Sequence, residues 1–211
     1  AKVLESLNDK LRGPYRLRLP FELSPVSRFY QDMLLDRYAS VAEDGTYDSP
    51  IASPSRRFFT MLGTLVGGRI SVGAAGVTAS KVALATAVRY GALRRQFGPE
   101  GRGETSVLDY PAHQQRLMPQ VAATYALHFA NADLQRRWQA HEGDDMREIE
   151  ALAAGIKALS TWHAIDATQV ARECCGGMGF LSRNRICQLR RDVDVFATFE
   201  GDNVVLLQLV A

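Results

Sequence analysis

The run Ser55-Arg56-Arg57-Phe58-Phe59-Thr60-Met61-Leu62-Gly63-Thr64-Leu65-Val66-Gly67-Gly68-Arg69-Ile70-Ser71-Val72-Gly73-Ala74-Ala75-Gly76 decides the fold class. Phe58, Leu62, Leu65, Arg69 and Val72 recur at helical spacing, and Val82, Ala85, Ala87 and Tyr90 extend the pattern. The spacing predicts one long helix from Ser55 to about Arg95. Gly63, Gly67, Gly68, Gly73 and Gly76 lie inside it, and each costs about 1 kcal/mol of helix propensity relative to Ala. So many glycines imply that another helix, or a ligand, approaches this backbone closely. Gly98-Pro99, with Gly101 and Gly103, ends the element.

Downstream the texture stays helical. Asp109 followed by Pro111 is a helix-start signature. Met118, Ala122, Tyr125 and Phe129 supply the expected apolar stripe, with a kink expected at Pro119. After a charged loop at His141 to Asp144, Asp145 and Glu148 resemble a capping pair. The next stripe runs Ile149, Leu152, Ile156, Leu159 and ends near Glu173. A short helix near Cys187 to Val193 and a last one after Gly201 follow. Long helices joined by short polar loops predict an all-α fold, an up-and-down bundle of four main helices. Upstream, Ala1 to Leu11 reads as a short helix, Arg16 to Ser27 as irregular, Met33 to Tyr38 as a helical turn or two, and Glu43 to Pro50 as a turn-rich loop. The expected organisation is an irregular lead-in over 1–54, a remnant of a preceding domain or a linker, and a helical domain over 55–211.

Composition narrows the function. The 211 residues are 46% hydrophobic and 23% charged, the profile of a globular chain. A formal charge of +2 argues against a nucleic-acid partner. Three cysteines, two of them adjacent (Cys174, Cys175 and Cys187), are not a disulfide framework and point to a reducing compartment. The four histidines give no compact zinc pattern, so no metal is expected. No run of about 18 uncharged apolar residues announces a membrane span. The chain stops inside the apolar run Val204 to Val210, which reads as a cut from something longer.

Three segments carry chemistry. In Tyr90-Gly91-Ala92-Leu93-Arg94-Arg95-Gln96-Phe97-Gly98 the cations either complement a helix C-terminus or meet a phosphate or pyrophosphate beside an aromatic face. Cys174-Cys175-Gly176-Gly177-Met178-Gly179-Phe180 is either a helix stop or a place where a ligand reaches backbone amides. Phe196-Ala197-Thr198-Phe199-Glu200-Gly201-Asp202-Asn203 holds either a loop and cap acid or a general base. Phe neighbours would favour the base by raising its pKa through desolvation.

Taken together and in this order, Arg94-Arg95-Gln96-Phe97-Gly98, Leu108-Asp109-Tyr110 with His113-Gln114, Cys175 to Phe180, and Thr198 to Asn203 resemble the acyl-CoA oxidases. These are a branch of the acyl-CoA dehydrogenase superfamily. Leu34 to Tyr38, Glu43 to Tyr47, Phe58 to Leu65 and Gly68-Arg69-Ile70 agree with the resemblance. It covers about Asp32 to Ala211; Ala1 to Gln31 does not look like the family, whose β-domain normally lies ahead of this region.

The resemblance implies noncovalent FAD and a fatty acyl-CoA substrate, desaturated to the trans-2-enoyl-CoA. Electrons then pass to molecular oxygen, giving hydrogen peroxide. By position, Glu200 matches the catalytic base. Arg94, Gln96 and Phe97 match residues that reach the FAD pyrophosphate and adenine across a subunit interface, which implies at least a homodimer. Gly176 and Gly177 match the turn along the adenosine half of FAD. Asp202 and Asn203 match the flavin side, while Arg69 and Gly201 match the acyl-CoA side. The alternatives are a dehydrogenase that passes electrons to an electron-transfer flavoprotein, and a non-catalytic truncated helical scaffold. A ferritin-like bundle is disfavoured, since Glu-x-x-His pairs are missing. The cast of Glu150 to Trp162 favours a bacterial, cytoplasmic protein over a eukaryotic, peroxisomal one.

Overall fold

The computed structural model describes residues 38–41, 46–142 and 146–211. The expected elements at Ala1 to Leu11 and Arg16 to Ser27 lie outside the described residues, as do all but Tyr38 of Met33 to Tyr38, residues 43–45 of the Glu43 to Pro50 loop, and Asp145. The chain divides into two compact units, residues 1–62 and 63–211, whereas the sequence had suggested a boundary at 54/55.

In the first unit, strands β1 (Ser40–Val41) and β2 (Tyr47–Asp48) pair antiparallel, Ser40 opposite Asp48. The Ser49 hydroxyl donates to the Tyr38 carbonyl at 2.6 Å. Helix α1 (Pro54–Leu62) follows, and its Arg57 guanidinium lies 4.7 Å from the Tyr47 ring centroid, a cation–π contact.

The second unit opens with a 3-10 turn, Gly63–Leu65, and then α2 (Val66–Leu93). The single helix expected from Ser55 to Arg95 is therefore two α-helices separated in sequence by that turn. A hairpin of β3 (Arg95–Gln96) and β4 (Thr105–Ser106) leads to a 3-10 turn at Val107–Asp109, then α3 (Pro111–Ala140) and α4 (Arg147–Cys174). The short helices α5 (Gly176–Phe180), α6 (Ile186–Asp194) and α7 (Asn203–Gln208) complete the unit. The all-α class is as expected, but the bundle has three long helices, not four. The helix α6, expected as a short helix near Cys187 to Val193, packs against α4 and α2.

Two apolar clusters fix the directions. At one end Val66 and Ile70 meet Leu134, Ile149 and Ala153. At the other, Ala83, Leu84 and Ala87 meet Leu117, Ala167, Ala171 and Cys174. Thus α3 runs antiparallel to both α2 and α4, and α2 and α4 run parallel. Full burial of a Leu such as Leu117 or Leu134 contributes about 1.5–3 kcal/mol each.

The centre of the unit is a seam of small residues. A Cβ at Gly73 would stand 3.5 Å from Lys157 Cα, and one at Gly76 only 3.0 Å from the Ser160 carbonyl oxygen. The glycines of α2 thus bring α4 close, as their number had implied. Ala153, Ala154, Ala158, Ala164, Ala167 and Ala171 form the matching face of α4.

This close approach overturns the expected stripe of α3 and leaves one residue of the α4 stripe outside the core. On α3 the buried positions are Leu117, Thr124, Asn131 and Leu134. Met118, Ala122, Tyr125 and Phe129 face outward, Tyr125 being 61% and Phe129 64% exposed. On α4 Ile149 is buried and Leu152 and Ile156 pack on the same cluster as expected, while Leu159 is exposed. Once small residues meet across a seam, the bulkier apolar side chains flank it.

Helix ends also differ in detail. The helix α3 starts at Pro111 as expected and continues through Pro119, but its N-cap is Tyr110 rather than Asp109. The helix α4 starts after Met146 without a side-chain cap. The Gly176–Phe180 segment, expected as a turn, closes a short helix. By length and composition α2 is apolar enough to cross a membrane, although just over half of it is buried inside this unit. It also carries Arg69, Lys81 and Arg89, and we read it as the core helix of the bundle.

Candidate functional site

The loop between α6 and α7 folds back on the start of α2. Val195–Ala197 forms a 3-10 turn, and Glu200 and Gly201 then take positive φ angles of 58° and 112°. A non-glycine residue in the left-handed region costs about 1–3 kcal/mol and persists only where its surroundings hold it. Here the surroundings are identifiable. Arg69, 7% exposed, donates from Nε to the Glu200 carbonyl at 3.2 Å. The fully buried Lys157 donates from Nζ to the Gly201 carbonyl at 2.7 Å and to Asn203 Oδ1 at 2.9 Å. In turn Asn203 Nδ2 donates to Thr161 Oγ1 at 2.9 Å and to the Ala158 carbonyl at 3.4 Å.

Beyond the loop, Asp202 caps α7 by accepting from the Val204 amide at 2.9 Å and the Val205 amide at 3.4 Å. Burial pushes the Lys157 ammonium below its usual range. Asp202 and Glu200 act in the opposite sense, while Arg69 reinforces the lowering.

The Glu200 side chain lies over Gly68. A Cβ at Gly68 would stand 2.5 Å from Oε2 and 2.9 Å from Oε1, so only glycine leaves room for the carboxylate. Neighbouring Gly67 is covered by the Trp138 ring. Glu200 Oε2 is buried and has no hydrogen-bond partner among the described residues. A buried carboxylate oxygen without a donor is costly in a finished structure and calls for an explanation. Phe196 and Phe199 pack with ring centroids 5.5 Å apart beside it in sequence.

Arg69, Glu200, Gly201, Asp202 and Asn203 thus come together. The remaining sequence-predicted residues do not join them. Arg94 follows the last residue of α2, its amide donating to the Tyr90 carbonyl at 2.8 Å and its carbonyl accepting from the Val107 amide at 2.8 Å. Gln96 is on β3, and its carbonyl accepts from the Tyr110 hydroxyl at 2.8 Å. Phe97 sits at φ 55° with its ring 78% exposed. The hairpin is closed by Gly98, where a Cβ would stand 2.5 Å from the Gly103 carbonyl oxygen.

Gly176, at φ 56°, and Gly177 follow the C-terminus of α4, at the same end of the bundle as the hairpin. Nothing lies within 4 Å of a Cβ built at either, so this backbone is open to an approaching group. Arg69 and Arg94 are separated along one continuous helix by roughly 37 Å at the standard rise. That is more than one dinucleotide reaches.

Sequence reasoning missed Gly68 as the seat of the carboxylate, and Lys157 and Thr161 beneath the loop. A signal for the last two exists: Ala153, Lys157, Thr161, Ala164, Thr168 and Ala171 form a three-to-four-residue repeat of mostly small residues, the pattern of a close helix contact. Among the described residues, no group of three or more His, Cys, Asp or Glu converges as a metal site would require.

The chain resembles proteins of a known family. Residues 62–211 match the family described as acyl-CoA oxidase, C-alpha1 domain. The peroxisomal acyl-coenzyme A oxidase 2 of Arabidopsis thaliana is 44% identical over 188 residues, covering 87% of this chain and 27% of that protein. The human peroxisomal acyl-coenzyme A oxidase 3 is 42% identical over 193 residues, covering 86% of this chain and 28% of its own length. Among solved structures, acyl-CoA oxidase-1 of Caenorhabditis elegans, complexed with FAD and ATP, superposes with a TM-score of 0.71. It is 29% identical, over 84% of this chain and 26% of that one. An acyl-CoA oxidase from tomato gives 0.68 at 34% identity, over 85% and 28%.

These relatives are eukaryotic, and the Arabidopsis and human proteins are named peroxisomal, which gives no support to the bacterial, cytoplasmic preference drawn from the sequence. The chain spans about a quarter of the length of the curated relatives it matches. It belongs to the acyl-CoA oxidase family.

Proposed function

We propose that this chain supplies the base-bearing helical part of an acyl-CoA oxidase, with Glu200 removing the α-proton of a fatty acyl-CoA thioester. The observation that carries the reading is the buried, partnerless Oε2 of Glu200 on a positive-φ loop. The side chain rests over Gly68, and the backbone is tied by Arg69 and Lys157. A base held in place avoids the entropic cost of finding its proton, and a general base of this kind contributes about 10²–10⁴-fold to rate.

The residues present fit FAD. Exposed Arg94 offers a guanidinium to a pyrophosphate and the open Phe97 ring offers a face to an adenine, while Gly176 and Gly177 leave the backbone accessible. The chemistry FAD supplies when bound is acceptance of the β-hydride and return of the electron pair to dioxygen as hydrogen peroxide. In this chain Arg94, Gln96 and Phe97 would hold the cofactor's phosphate and adenine half. Asp202 would border the flavin side with the buried Asn203 supporting it from beneath, and Gly201 and Arg69 would border the acyl-CoA thioester. Because the hairpin and Glu200 stand at opposite ends of α2, one cofactor would use the base end of one copy and the hairpin of another. That geometry supports at least a homodimer. The functional unit is residues 63–211, and the names of the relatives support a peroxisomal setting over a cytoplasmic one.

The test is Glu200→Gln in the full-length, flavin-loaded protein. Anaerobic bleaching of the flavin band by a medium-chain acyl-CoA should slow about 10³-fold, within the range for loss of a general base, while FAD and acyl-CoA still bind. Bleaching at the unaltered rate would remove Glu200 from the role. Peroxide formed in equal amount to enoyl product would separate an oxidase from a dehydrogenase.

A further inference from the structure

We infer that Lys157 is a positioning residue for the Glu200 loop: its ammonium, bonded at once to the Gly201 carbonyl and to Asn203 Oδ1, fixes where the Glu200 carboxylate stands. The inference rests on Glu200 being the base.

A lysine buried without any exposed surface in the middle of an Ala-rich helix needs a reason, because taking an ammonium out of water costs several kcal/mol before compensation. Apolar packing does not supply that reason. The neighbours of Lys157 on the same face are Ala153, Ala154, Ala158 and Thr161, and a fifth small residue would close the seam at no desolvation cost. What the ammonium does supply is donors. The Glu200 and Gly201 carbonyls lie on two successive positive-φ residues that no helix or sheet ladder serves. Arg69 meets the first carbonyl and Lys157 the second.

The hold extends in both directions. The second acceptor of Lys157, Asn203, is itself fully buried and anchored to Thr161, whose hydroxyl in turn donates to the Lys157 carbonyl at 2.9 Å. The circuit Lys157–Asn203–Thr161 therefore closes on one turn of α4. On its far side is the first residue of α7, and between that residue and Arg69 hangs the Glu200 peptide. Its backbone is pinned on both sides and its carboxylate lies over Gly68, where a Cβ would come within 3 Å of Cδ and both oxygens. Burial lowers the ammonium's pKa, while the charges of Asp202 and Glu200 favour its protonated form. The loop carboxylates thus help keep the donor that holds them.

Among the described residues, Arg69 and Lys157 share this work. Asp202 caps α7 from the exposed side, and the Arg116–Glu173 ion pair lies on the surface at the other end of α4.

The experiment compares Lys157→Met, Thr161→Val and Glu200→Gln with the unaltered full-length, FAD-loaded enzyme. It reads the anaerobic bleaching rate with a saturating acyl-CoA, the affinity for an unreactive acyl-CoA thioether, and amide hydrogen exchange over residues 200–206. For Lys157→Met the bleaching rate should fall roughly 10²-fold, the cost of a displacement of about 1 Å at a reacting group. Thioether affinity should change less than about threefold, and exchange should rise at 200–206 but not in α2 or α3. Thr161→Val, which leaves the ammonium in place and removes the Asn203 anchor together with the hydroxyl's bonds within α4, should give the same split at about tenfold, and it decides the matter if Lys157→Met does not accumulate as folded protein.

Bleaching within twofold of the parent in the folded variant, or a loss shared equally between rate and thioether affinity, would overturn the positioning role. If Glu200→Gln bleaches normally, the base assignment itself has failed. If Glu200→Gln is inactive while Lys157→Met and Thr161→Val are normal, only the positioning inference falls.

Discussion

The loop bearing Glu200 and the hairpin bearing Phe97 share a device and use it oppositely. Each places a non-glycine residue at positive φ, 58° for Glu200 and 55° for Phe97. Around Glu200 the strain is held from outside the loop, by Arg69 of α2 and by Lys157 of α4, more than forty residues away in sequence. Around Phe97 it is held from inside the hairpin. The Thr105 amide donates to the Phe97 carbonyl at 2.7 Å, Arg95 donates to the Glu104 carbonyl at 3.1 Å, and the ring itself meets solvent. The first region is complete within this unit and has one unfilled oxygen; the second is a self-supported arm whose side chains point away. On the proposed reading the difference is functional: a base must be fixed to fractions of an ångström, whereas a contact offered to another copy needs only to be presented.

This contrast can be broken most sharply at Gly68. Gly68→Ala places a methyl group where the Glu200 carboxylate lies, but the displaced atoms are the end of a flexible side chain. We expect flavin bleaching to slow roughly 10²-fold, with the thermal midpoint and FAD content little changed. A parallel loss of folded protein would mean that the glycine serves packing instead.

The complementary substitution is Arg94→Ala, alone and with Phe97→Ala. Removing a charge-assisted phosphate contact costs about 1.5–3 kcal/mol, so FAD affinity should fall at least tenfold. The bleaching rate of the enzyme that remains loaded should stay within about threefold. An equal fall in both at subsaturation-corrected FAD would join the two regions functionally.

The smallest effect is a pH effect at the hairpin end. His113 lies against Gly91 with Nε2 buried and without a described partner. Burial, and then Arg116, lower its pKa from 6.5. The unfolded chain therefore binds more protons than the folded one just below pH 6.5, and stability is lost as pH falls through that window. His163, half-buried and 2.7 Å from the Thr124 hydroxyl, shifts the same way, mainly by burial. The thermal midpoint should decline on acidification from pH 7 toward 5.5. Hydrogen exchange should rise first near residues 91–113, and His113→Asn should flatten the decline. Exchange rising first at 200–206 would reverse the assignment.

How much of this was legible in the sequence follows from the range of each interaction. Helix content was legible because periodicity and the Gly-Pro stops are local, and the ends of α4 and α6 and the start of α7 were placed to within a residue or two. The family motifs likewise made Glu200, Asp202 and Asn203 visible as a group, and the structure does bring them together with Arg69. Which face of each helix is buried was not legible. Met118, Tyr125 and Phe129 are more apolar than Thr124 and Asn131, and a hydrophobic ranking chooses them for the core. The choice reverses because Gly73 meets Asn131 and Lys157 across the seam, a fact about pairs of helices that no single window contains. Lys157 escaped for the same reason: its partners, at 201 and 203, are more than forty residues away.

The seam between α2 and α4 has a consequence for how such a chain can change over generations. It is assembled from the smallest residues available, Gly73, Gly76, Ser80, Ala83 and Ala87 against Ala153, Ala158, Ser160, Ala164 and Ala171. A position filled by leucine can drift to valine, methionine or alanine at graded cost, but one filled by glycine has no smaller neighbour to drift toward. Every substitution at Gly73 or Gly76 therefore adds volume, against an asparagine oxygen 2.9 Å and a backbone carbonyl 3.0 Å from the first added carbon. Variation here is one-directional and steeply penalised, so change has to enter through the outward faces, where Tyr125, Phe129, Leu159 and Trp162 leave room to vary.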